Sequence, residues 1–270
     1  MMEKYDIIVL AGQSNAFGQG LGDVTREYVP DERIHIMKDD ANPKFVREDG
    51  IVKLALKWPA VNTISVADER LNADGKKVGC FALQFAEKYA EEYLEEGRKV
   101  LIVYTCHGGT GFARPEWGVG NILHTRMLSM TRAALAENPE ENRIVAFLWH
   151  QGEHDSFENA DWDPEKRYLA HKENVRATFA DFYEQFGDNT IPIIAAGFSH
   201  EYYLTCVEAC DAVLKAIRED VAEIGGSFIE TDDLQSNNQR IGNGDPYHFC
   251  RESLHILGNR YFDEYRKLRK

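Results

Sequence analysis

The chain has 270 residues, of which 43% are hydrophobic and 28% charged, a composition typical of a globular protein with a sizeable core. Its 31 basic and 45 acidic residues give a formal net charge of −14, which disfavours nucleic acid and anionic membrane surfaces as partners because both would repel it. The N-terminus lacks the pattern of a secretion signal and no apolar run is long enough to span a bilayer, so we expect a cytoplasmic location.

Apolar runs of strand length alternate with amphipathic segments along the chain. The runs are near-continuous Val, Ile, Leu and Phe, which is typical of strands buried on both faces of a parallel sheet. The alternation therefore predicts an α/β fold, a three-layer α/β/α sandwich around a central parallel sheet of about five strands. The predicted strands are 6–11, 100–105, 144–149, 191–196 and 227–231, and the predicted helices are 81–96, 121–137, 164–187, 213–224 and 254–268.

One stretch breaks this alternation. Residues 19–79 are rich in Pro, Asn, Asp and Gly and predict at most short strands. We interpret them as an irregular excursion over the rim of a site within a single domain, 1–270. The cysteines are five in number with no Cys-x-x-Cys pair, which favours reduced thiols over a disulfide framework or a thiolate zinc site.

Polar motifs follow three of the predicted strands. Gly12-Gln13-Ser14-Asn15 follows the first, His107-Gly108-Gly109-Thr110 the second, and His150-Gln151-Gly152-Glu153-His154-Asp155 the third. A fourth motif, Asp245-Pro246-Tyr247-His248, precedes the last helix. Ligands of open parallel sheets bind beyond the carboxyl ends of the strands, so these motifs are expected to meet at one edge.

The first and last motifs supply the residue types of a nucleophilic serine site. A serine hydroxyl becomes a nucleophile when an imidazole takes its proton, and an acceptor must hold that imidazole in one tautomer. Ser14 directly follows a strand among small residues. In a turn, the spacing of Asp245 and His248 lets the carboxylate reach one imidazole nitrogen while the other faces outward.

In this order, and with Leu257-Gly258-Asn259-Arg260 in the terminal helix, the motifs resemble the sialate O-acetylesterase and acetylxylan-esterase-like branch of the SGNH (GDSL-type) hydrolases, close to carbohydrate esterase family six. The resemblance covers nearly the whole chain and implies the flavodoxin-like SGNH fold. It implies hydrolysis of acetyl esters of a carbohydrate through an acetyl-serine intermediate, which needs neither a metal nor an organic cofactor.

The resemblance also implies residue roles. Ser14 would be the nucleophile, His248 the general base and then acid, and Asp245 the acceptor that orients His248. The oxyanion hole would consist of the Ser14 and Gly109 N–H groups and the Gln151 side-chain amide, although other SGNH enzymes place an asparagine near this last position. Glu153 would tie the Gln151 loop to the nucleophile loop, with Asn15 and Gln13 in the same network, and His107, His154 and Arg114 are candidate substrate contacts.

Two alternatives belong to other classes. A non-catalytic carbohydrate-binding protein on a hydrolase scaffold would stack sugars on aromatic residues such as Trp58, Trp117, Trp162, Tyr202 and Tyr203. A zinc-dependent hydrolase would use His150 and His154, which satisfy a His-x-x-Glu-His pattern that Gly152 makes unfavourable as a helix.

The substrate is left open. Acetylated xylo-oligosaccharides, other acetylated oligosaccharides and O-acetylated sialic acids all fit, and the acidic net charge weakly favours a neutral sugar unless Arg114 or Arg240 reverses it. Nothing in the sequence indicates the oligomeric state.

Overall fold

The computed structural model describes residues 2–48, 50–114 and 116–269. Its strands are β1 (Tyr5–Gly12), β2 (Ile34–Asp39), β3 (Lys44–Glu48), β4 (Ile51–Ala55), β5 (Asn62–Val66), β6 (Arg70–Leu71), β7 (Lys77–Val78), β8 (Lys99–Tyr104), β9 (Arg143–His150), β10 (Ile193–Ala196) and β11 (Ser227–Ile229). Its helices are α1 (Ser14–Phe17), α2 (Phe81–Glu92), α3 (Ile122–Ala136), α4 (Glu153–Phe157), α5 (Pro164–Phe186), α6 (His200–Tyr203), α7 (Val207–Glu223), α8 (Asn237–Ile241) and α9 (Arg251–Leu268).

A seven-stranded sheet forms the centre of the molecule, in the order β11–β10–β9–β1–β8–β2–β5. The pairs from β11 to β2 are parallel, and β5 joins the edge antiparallel to β2. Alternate residues of the inner strands enter two separate hydrophobic cores, one under α2 and α9 and the other under α3, α5 and α7. The predicted α/β/α sandwich is therefore confirmed.

The predicted strands and helices match the observed ones to within a few residues at most ends. The start of α5 is as predicted, because the Asp163 carboxylate accepts from the Lys166 N–H and Pro164 occupies the first helical position. The helix predicted over 81–96 ends at Glu92 instead, since the chain must reverse before β8, and Gly97 takes a positive φ in that connection.

The predicted count of about five strands in the central sheet was too low. Residues 19–79 contain β2 to β7, and two of those strands extend the central sheet from the predicted five to seven. Both lie at or next to the sheet edge, where one side is less covered, so β2 and β5 include polar residues and lack the continuous apolar run of the inner strands. Among the described helices, none combines the length and the apolar character needed to cross a lipid bilayer.

The order in which the strands enter the sheet predicts where a binding site should lie. From β1 the chain builds one side of the sheet through β2 and β8, and it then crosses to β9 on the other side of β1. The carboxyl end of β1 therefore lies at a topological switch point, where open α/β sheets form a crevice.

Helix α9 is fixed at two places. Near its middle, a Cβ on Gly258 would overlap the carbonyl oxygen of Phe81, so only glycine allows α9 to lie this close to α2. At its first turn, Arg251 forms a bidentate ion pair with the buried Glu69, which also accepts from His255 Nε2 at 2.8 Å. Glu69 precedes β6, so this cluster joins the 19–79 stretch to the beginning of the last helix.

The charge of Glu69 makes this junction sensitive to acid. Burial raises its pKa, but the hydrogen bonds from His255 and Arg251 outweigh burial and bring the pKa from 4.5 to about 2. A carboxylate with a depressed folded-state pKa stabilises the fold above its unfolded pKa and loses that contribution as pH falls toward its folded pKa.

We expect Glu69→Gln to lower the free energy of unfolding at pH 7 by about 3 kcal/mol. The difference from the parent should narrow as pH falls from 4.5 toward 2, and urea unfolding at pH 7, 4.5 and 3.5 measures it. The control is Glu27→Gln, which removes an exposed carboxylate from the same arginine and should cost much less. A difference that stays constant over this pH range would contradict the role given to the Glu69 charge.

Candidate active site

Ser14 begins the short helix α1 at the carboxyl end of β1. The loop before it is tied to both neighbouring strands, since Gln13 N–H donates to the His150 carbonyl at 3.0 Å and His107 N–H donates to the Gly12 carbonyl at 3.0 Å. A side chain at Gly12 would overlap the His150 carbonyl, so a glycine is required for this close approach. The first three polar motifs therefore meet at one edge of the sheet, as predicted.

The fourth motif forms an imidazole–carboxylate pair. His248 Nδ1 lies 2.8 Å from Asp245 Oδ2, and Asn237 Nδ2 donates to the same oxygen at 3.0 Å. Burial raises the pKa of Asp245, but the hydrogen bonds from His248 and Asn237 outweigh it, so the pKa lies below its usual value and the carboxylate stays charged. This pair fixes His248 with Nδ1 toward Asp245 and leaves Nε2 for another partner.

Asn15 connects the serine loop to the histidine segment. Its side-chain amide donates to Glu153 Oε1 at 2.6 Å and to the Tyr247 carbonyl at 3.2 Å, and its oxygen accepts from the Phe249 N–H at 3.1 Å. These bonds bracket His248 from both sides, although more than 230 residues separate the partners. The residue next to Ser14 thereby sets the position of the imidazole.

A cleft of about 390 Å³ opens above these groups, a volume within the usual range of small-molecule sites. Ser14 and His248 both line it, together with Gly108 and Gly109 from the loop after β8. A Cβ on Gly108 would lie 3.5 Å from Ser14 Cβ, so this loop is in contact distance of the serine. The remaining lining residues are Gln13, Gln19, Glu153, His154, Phe157 and Tyr247.

Two glutamine amides lie near the serine, and their surroundings differ. The Gln13 Oε1 faces three donors, the N–H groups of Gly152 and His154 and the Gln151 amide, at 3.2 to 3.5 Å. This arrangement orients the Gln13 amide, and its Nε2 has no acceptor among the described residues, while Gln13 itself lines the cleft. Gln151 is buried outside the cleft lining, and its Nε2 donates to Asp155 Oδ2 at 2.6 Å.

Asp155 is a residue to which sequence analysis gave no role. Its buried carboxylate accepts from Gln151 and from the N–H groups of Phe112 and Ala113 at 2.8 and 2.6 Å, and it lies 3.2 Å from His171 Nδ1. Burial raises its pKa, but hydrogen bonding by His171, by the Ala113 N–H and by Gln151 holds the pKa below its usual value. One charged side chain thus holds the glycine loop after β8 against the segment after β9.

The three predicted substrate contacts take different positions. His154 lines the cleft, while His107 lies beside the Phe45 ring with centroids 5.7 Å apart and is not part of the lining. Arg114 donates to the Gly109 carbonyl at 2.6 Å, and its Nε lies 3.0 Å from Glu116 Oε1. The guanidinium therefore supports the glycine loop from the rim.

The histidines of the zinc hypothesis face different partners. His150 is buried at the end of β9 with Nδ1 3.3 Å from the Tyr261 hydroxyl, whereas His154 Nε2 lies 3.0 Å from Glu158 Oε2. Within residues 2–48, 50–114 and 116–269, no group of three or more His, Cys, Asp or Glu side chains is arranged to hold a metal ion. The hypothesis therefore lacks a ligand set in the described part of the chain.

The aromatic residues singled out from sequence mostly lie elsewhere. Trp117 and Tyr202 are buried in the core, and Trp162 lines a separate cleft. The Phe and Tyr side chains that line the cleft are Phe157 and Tyr247, and neither was among the aromatic residues singled out from sequence.

A family match extends over nearly the whole chain. Residues 4–267 match the family described as "Carbohydrate esterase, sialic acid-specific acetylesterase". A relative from Escherichia coli K12, a probable 9-O-acetyl-N-acetylneuraminic acid deacetylase, is 28% identical over 216 residues, which cover 70% of this chain and 65% of the relative. The match thus spans just under two thirds of that protein.

Solved structures share the fold at low sequence identity. NanS superposes with a TM-score of 0.70 at 19% identity, covering 99% of this chain and 98% of its own. A protein from Arabidopsis thaliana gives 0.64 at 17% identity, covering 98% of both chains. A carbohydrate acetylesterase from Xanthomonas citri gives 0.56 at 13% identity, covering 97% of this chain and 56% of its own. Because the family match extends over nearly every residue, the chain belongs to the carbohydrate esterase, sialic acid-specific acetylesterase family.

Proposed function

We propose that this protein is a serine esterase that removes O-acetyl groups from a carbohydrate through an acetyl-serine intermediate. The observation that carries the proposal is the shared cleft of Ser14 and His248 at the switch point of the sheet, with Asp245 2.8 Å from His248 Nδ1. Family membership supports carboxylic ester hydrolysis as the general reaction. The E. coli relative supports an acetylated sugar as the substrate class.

The reaction follows from these groups. His248 Nε2 takes the proton of the Ser14 hydroxyl as its oxygen attacks the ester carbonyl, and Asp245 stabilises the imidazolium that forms. The tetrahedral intermediate expels the sugar alkoxide, which receives that proton from His248. Water then attacks the acetyl-serine by the same steps and releases acetate, so the enzyme returns to its starting state.

Three donors serve the developing oxyanion in this proposal. The Ser14 and Gly109 N–H groups form no hydrogen bond within the described part of the chain, and both residues line the cleft. For the third donor, the geometry favours the Gln13 amide over Gln151, because Gln13 Nε2 lacks an acceptor and Gln151 Nε2 is bound to Asp155. Gln151 then acts through Gln13, whose Oε1 it contacts at 3.4 Å.

Ser14→Ala is expected to reduce hydrolysis of p-nitrophenyl acetate by at least 1,000-fold, because the nucleophile is lost. Ser65→Ala, at an exposed position of β5, is the matched control and should keep the parental rate. Rapid quenching followed by mass measurement should show an acetyl group on parental Ser14. Parental turnover by Ser14→Ala would reject the proposal, and removal of that turnover by a chelator would favour the zinc hypothesis. Sugar binding without hydrolysis by the parent would favour the carbohydrate-binding alternative.

Asn15→Ala is expected to lower kcat by about 10- to 100-fold with little change in KM, because the imidazole loses its alignment with Ser14 while the cleft walls remain. Steady-state kinetics well below the melting temperature of the variant measure both constants. Asn189→Ala, at an exposed position, is the control. A parental kcat in a folded Asn15→Ala protein would contradict the positioning role.

The variant Gln13→Glu tests whether Gln13 or Gln151 donates the third hydrogen bond to the oxyanion. The carboxylate keeps an acceptor for the Gly152 and His154 N–H groups and replaces the amide donor with an oxygen that repels the oxyanion. We expect kcat to fall by roughly 100- to 1,000-fold, as for loss of an oxyanion donor. Gln151→Ala should reduce kcat less. If Gln151→Ala is the more damaging of the two, Gln151 is the oxyanion donor.

A further inference from the structure

Two cysteines at the start of α7 lie in contact. Cys206 directly precedes the helix and Cys210 lies one turn into it, and their Sγ atoms are 3.3 Å apart. The Cys210 N–H donates to the Cys206 carbonyl at 2.9 Å, so the turn between them is closed by a helical hydrogen bond. Both thiols are free, and their sulfurs would have to approach to about 2 Å to form a disulfide bond.

The backbone of this turn is compatible with such a bond. A helix rises by about 1.5 Å per residue, so residues four apart have Cα atoms about 6 Å apart, inside the range of about 4.4 to 6.8 Å that disulfides span. The two cysteines can therefore be bridged without unwinding α7. Sequence analysis did not single out this pair because its spacing is not that of Cys-x-x-Cys.

The two thiols differ in access. Cys206 lines a cleft of about 410 Å³ that is separate from the Ser14 cleft, whereas Cys210 is fully buried. The lining of this separate cleft also includes Trp162, Arg167 and Glu208, which supply an aromatic ring and one charge of each sign. A small zwitterionic molecule in the cleft would therefore meet Cys206 and not Cys210.

The surroundings also make the two thiols chemically unequal. The hydrogen bond from Cys210 lowers the pKa of Cys206, and the hydroxyls of Tyr202 and Thr205 add to this effect, while burial opposes it. The same hydrogen bond, together with burial, raises the pKa of Cys210. The start of a helix further favours a negative charge at Cys206. Cys206 therefore has the character of an attacking thiolate and Cys210 that of a protonated thiol.

We propose that Cys206 and Cys210 form a reversible dithiol site that reacts with a low-molecular-weight disulfide such as glutathione disulfide. The Cys206 thiolate attacks one sulfur of the small disulfide, so a mixed disulfide forms at Cys206 and one thiolate leaves. Cys210 then loses its proton and attacks the Cys206 sulfur, which forms the Cys206–Cys210 bond and releases the second thiolate. Together the two cysteines lose two protons and two electrons, and the small disulfide is reduced to two thiols.

Tyr202 connects this dithiol to the Ser14 cleft. Its hydroxyl acts on the Cys206 sulfur and donates to the Glu153 carbonyl at 3.0 Å, and its ring packs against Tyr247 with centroids 4.9 Å apart. Glu153 and Tyr247 both line the cleft. A disulfide draws the Cys206 sulfur away from Tyr202 and so disturbs the support of the cleft wall. The thiol chemistry does not depend on the proposed esterase function, whereas this effect on turnover rests on it.

The first experiment follows the thiols by mass. The reduced full chain is incubated with glutathione disulfide, the remaining thiols are alkylated in denaturant, and the peptides are mapped. The parent should lose two hydrogen atoms and yield a Cys206–Cys210 bridge. Cys210→Ala should instead keep one glutathione on Cys206, because the second attacking thiol is missing, and Cys206→Ser should give neither product.

Cys80 is the internal control for this experiment. It is partly exposed like Cys206, but burial raises its pKa to about 11, so it should stay free. A parent chain that stays fully reduced overturns the proposal. Uptake of glutathione at Cys80 as fast as at Cys206 also overturns it, because the reaction would then not be specific to the dithiol.

The second experiment measures kcat/KM for p-nitrophenyl acetate with the reduced parent, the bridged parent and the bridged parent after treatment with dithiothreitol. Bridging should lower kcat/KM by about 3- to 10-fold, because a small displacement at a reacting site is enough for a loss of this size. Dithiothreitol should restore the reduced value, and Cys206→Ser should respond to neither reagent. Unchanged turnover in the bridged protein overturns the link to the Ser14 cleft. A reduced parent without any turnover counts against the esterase function instead, and the mass measurements still decide the thiol chemistry.

Discussion

The side-chain amide of Asn15 is the contact on which the site depends. The serine loop comes from the first strand and the histidine segment from just before the last helix, and no covalent feature other than the whole chain joins them. Asn15 uses both donors and its acceptor across this gap, on Glu153, the Tyr247 carbonyl and the Phe249 N–H. The buried Glu153 stays ionised next to it, because hydrogen bonding by His150 and Asn15 outweighs burial and keeps its pKa below the usual value. The amide and the carboxylate therefore stabilise each other.

A second buried carboxylate, that of Asp155, joins loops on the other side of Ser14. Asp155 binds backbone N–H groups of the loop after β8 and the Gln151 amide after β9. Gln151 in turn contacts Gln13, which lines the cleft, so the contacts run from the Asp155 carboxylate through the Gln151 amide to the Gln13 amide. Hydrogen bonds to a charged carboxylate are shorter and stronger than those between neutral groups, so they restrict the loops that they join. The site is thus a set of loops whose geometry is set by the charged side chains of Glu153 and Asp155, away from Ser14 and His248.

Much of the fold and of the candidate site could be predicted from the sequence. The inner strands are continuous apolar runs because both faces are covered, and Asp163, Pro164 and Gly187 mark the ends of α5 by their own side-chain and backbone preferences. The meeting of the first three motifs at one edge follows from parallel strands, whereas the fourth motif precedes α9 and follows no strand. Strands β2 and β5 were missed because a strand near the sheet edge includes polar residues such as Lys38 and Asp39.

Which glutamine amide faces the cleft was not predictable, because it depends on the partners of one oxygen atom, and residue types carry no such information. The aromatic lining of the cleft was missed for a similar reason, since Phe157 and Tyr247 come together only when α4 and the histidine segment fold against each other. The role of Leu257-Gly258-Asn259-Arg260 also becomes clear only in three dimensions. It lies far along α9 from the histidine, and Gly258 serves the contact with α2.

The close contact of α9 with α2 at Gly258 has a consequence for how the protein responds to heat. Ser14 is held by the inner sheet, whereas His248 precedes a helix whose position depends on a glycine contact and on the Glu69 cluster. Proteins open locally before they melt, and peripheral helices open at lower free energy than central strands. Warming should therefore separate Ser14 from His248 while the sheet is still intact, and the proposed esterase activity should be lost before the secondary structure.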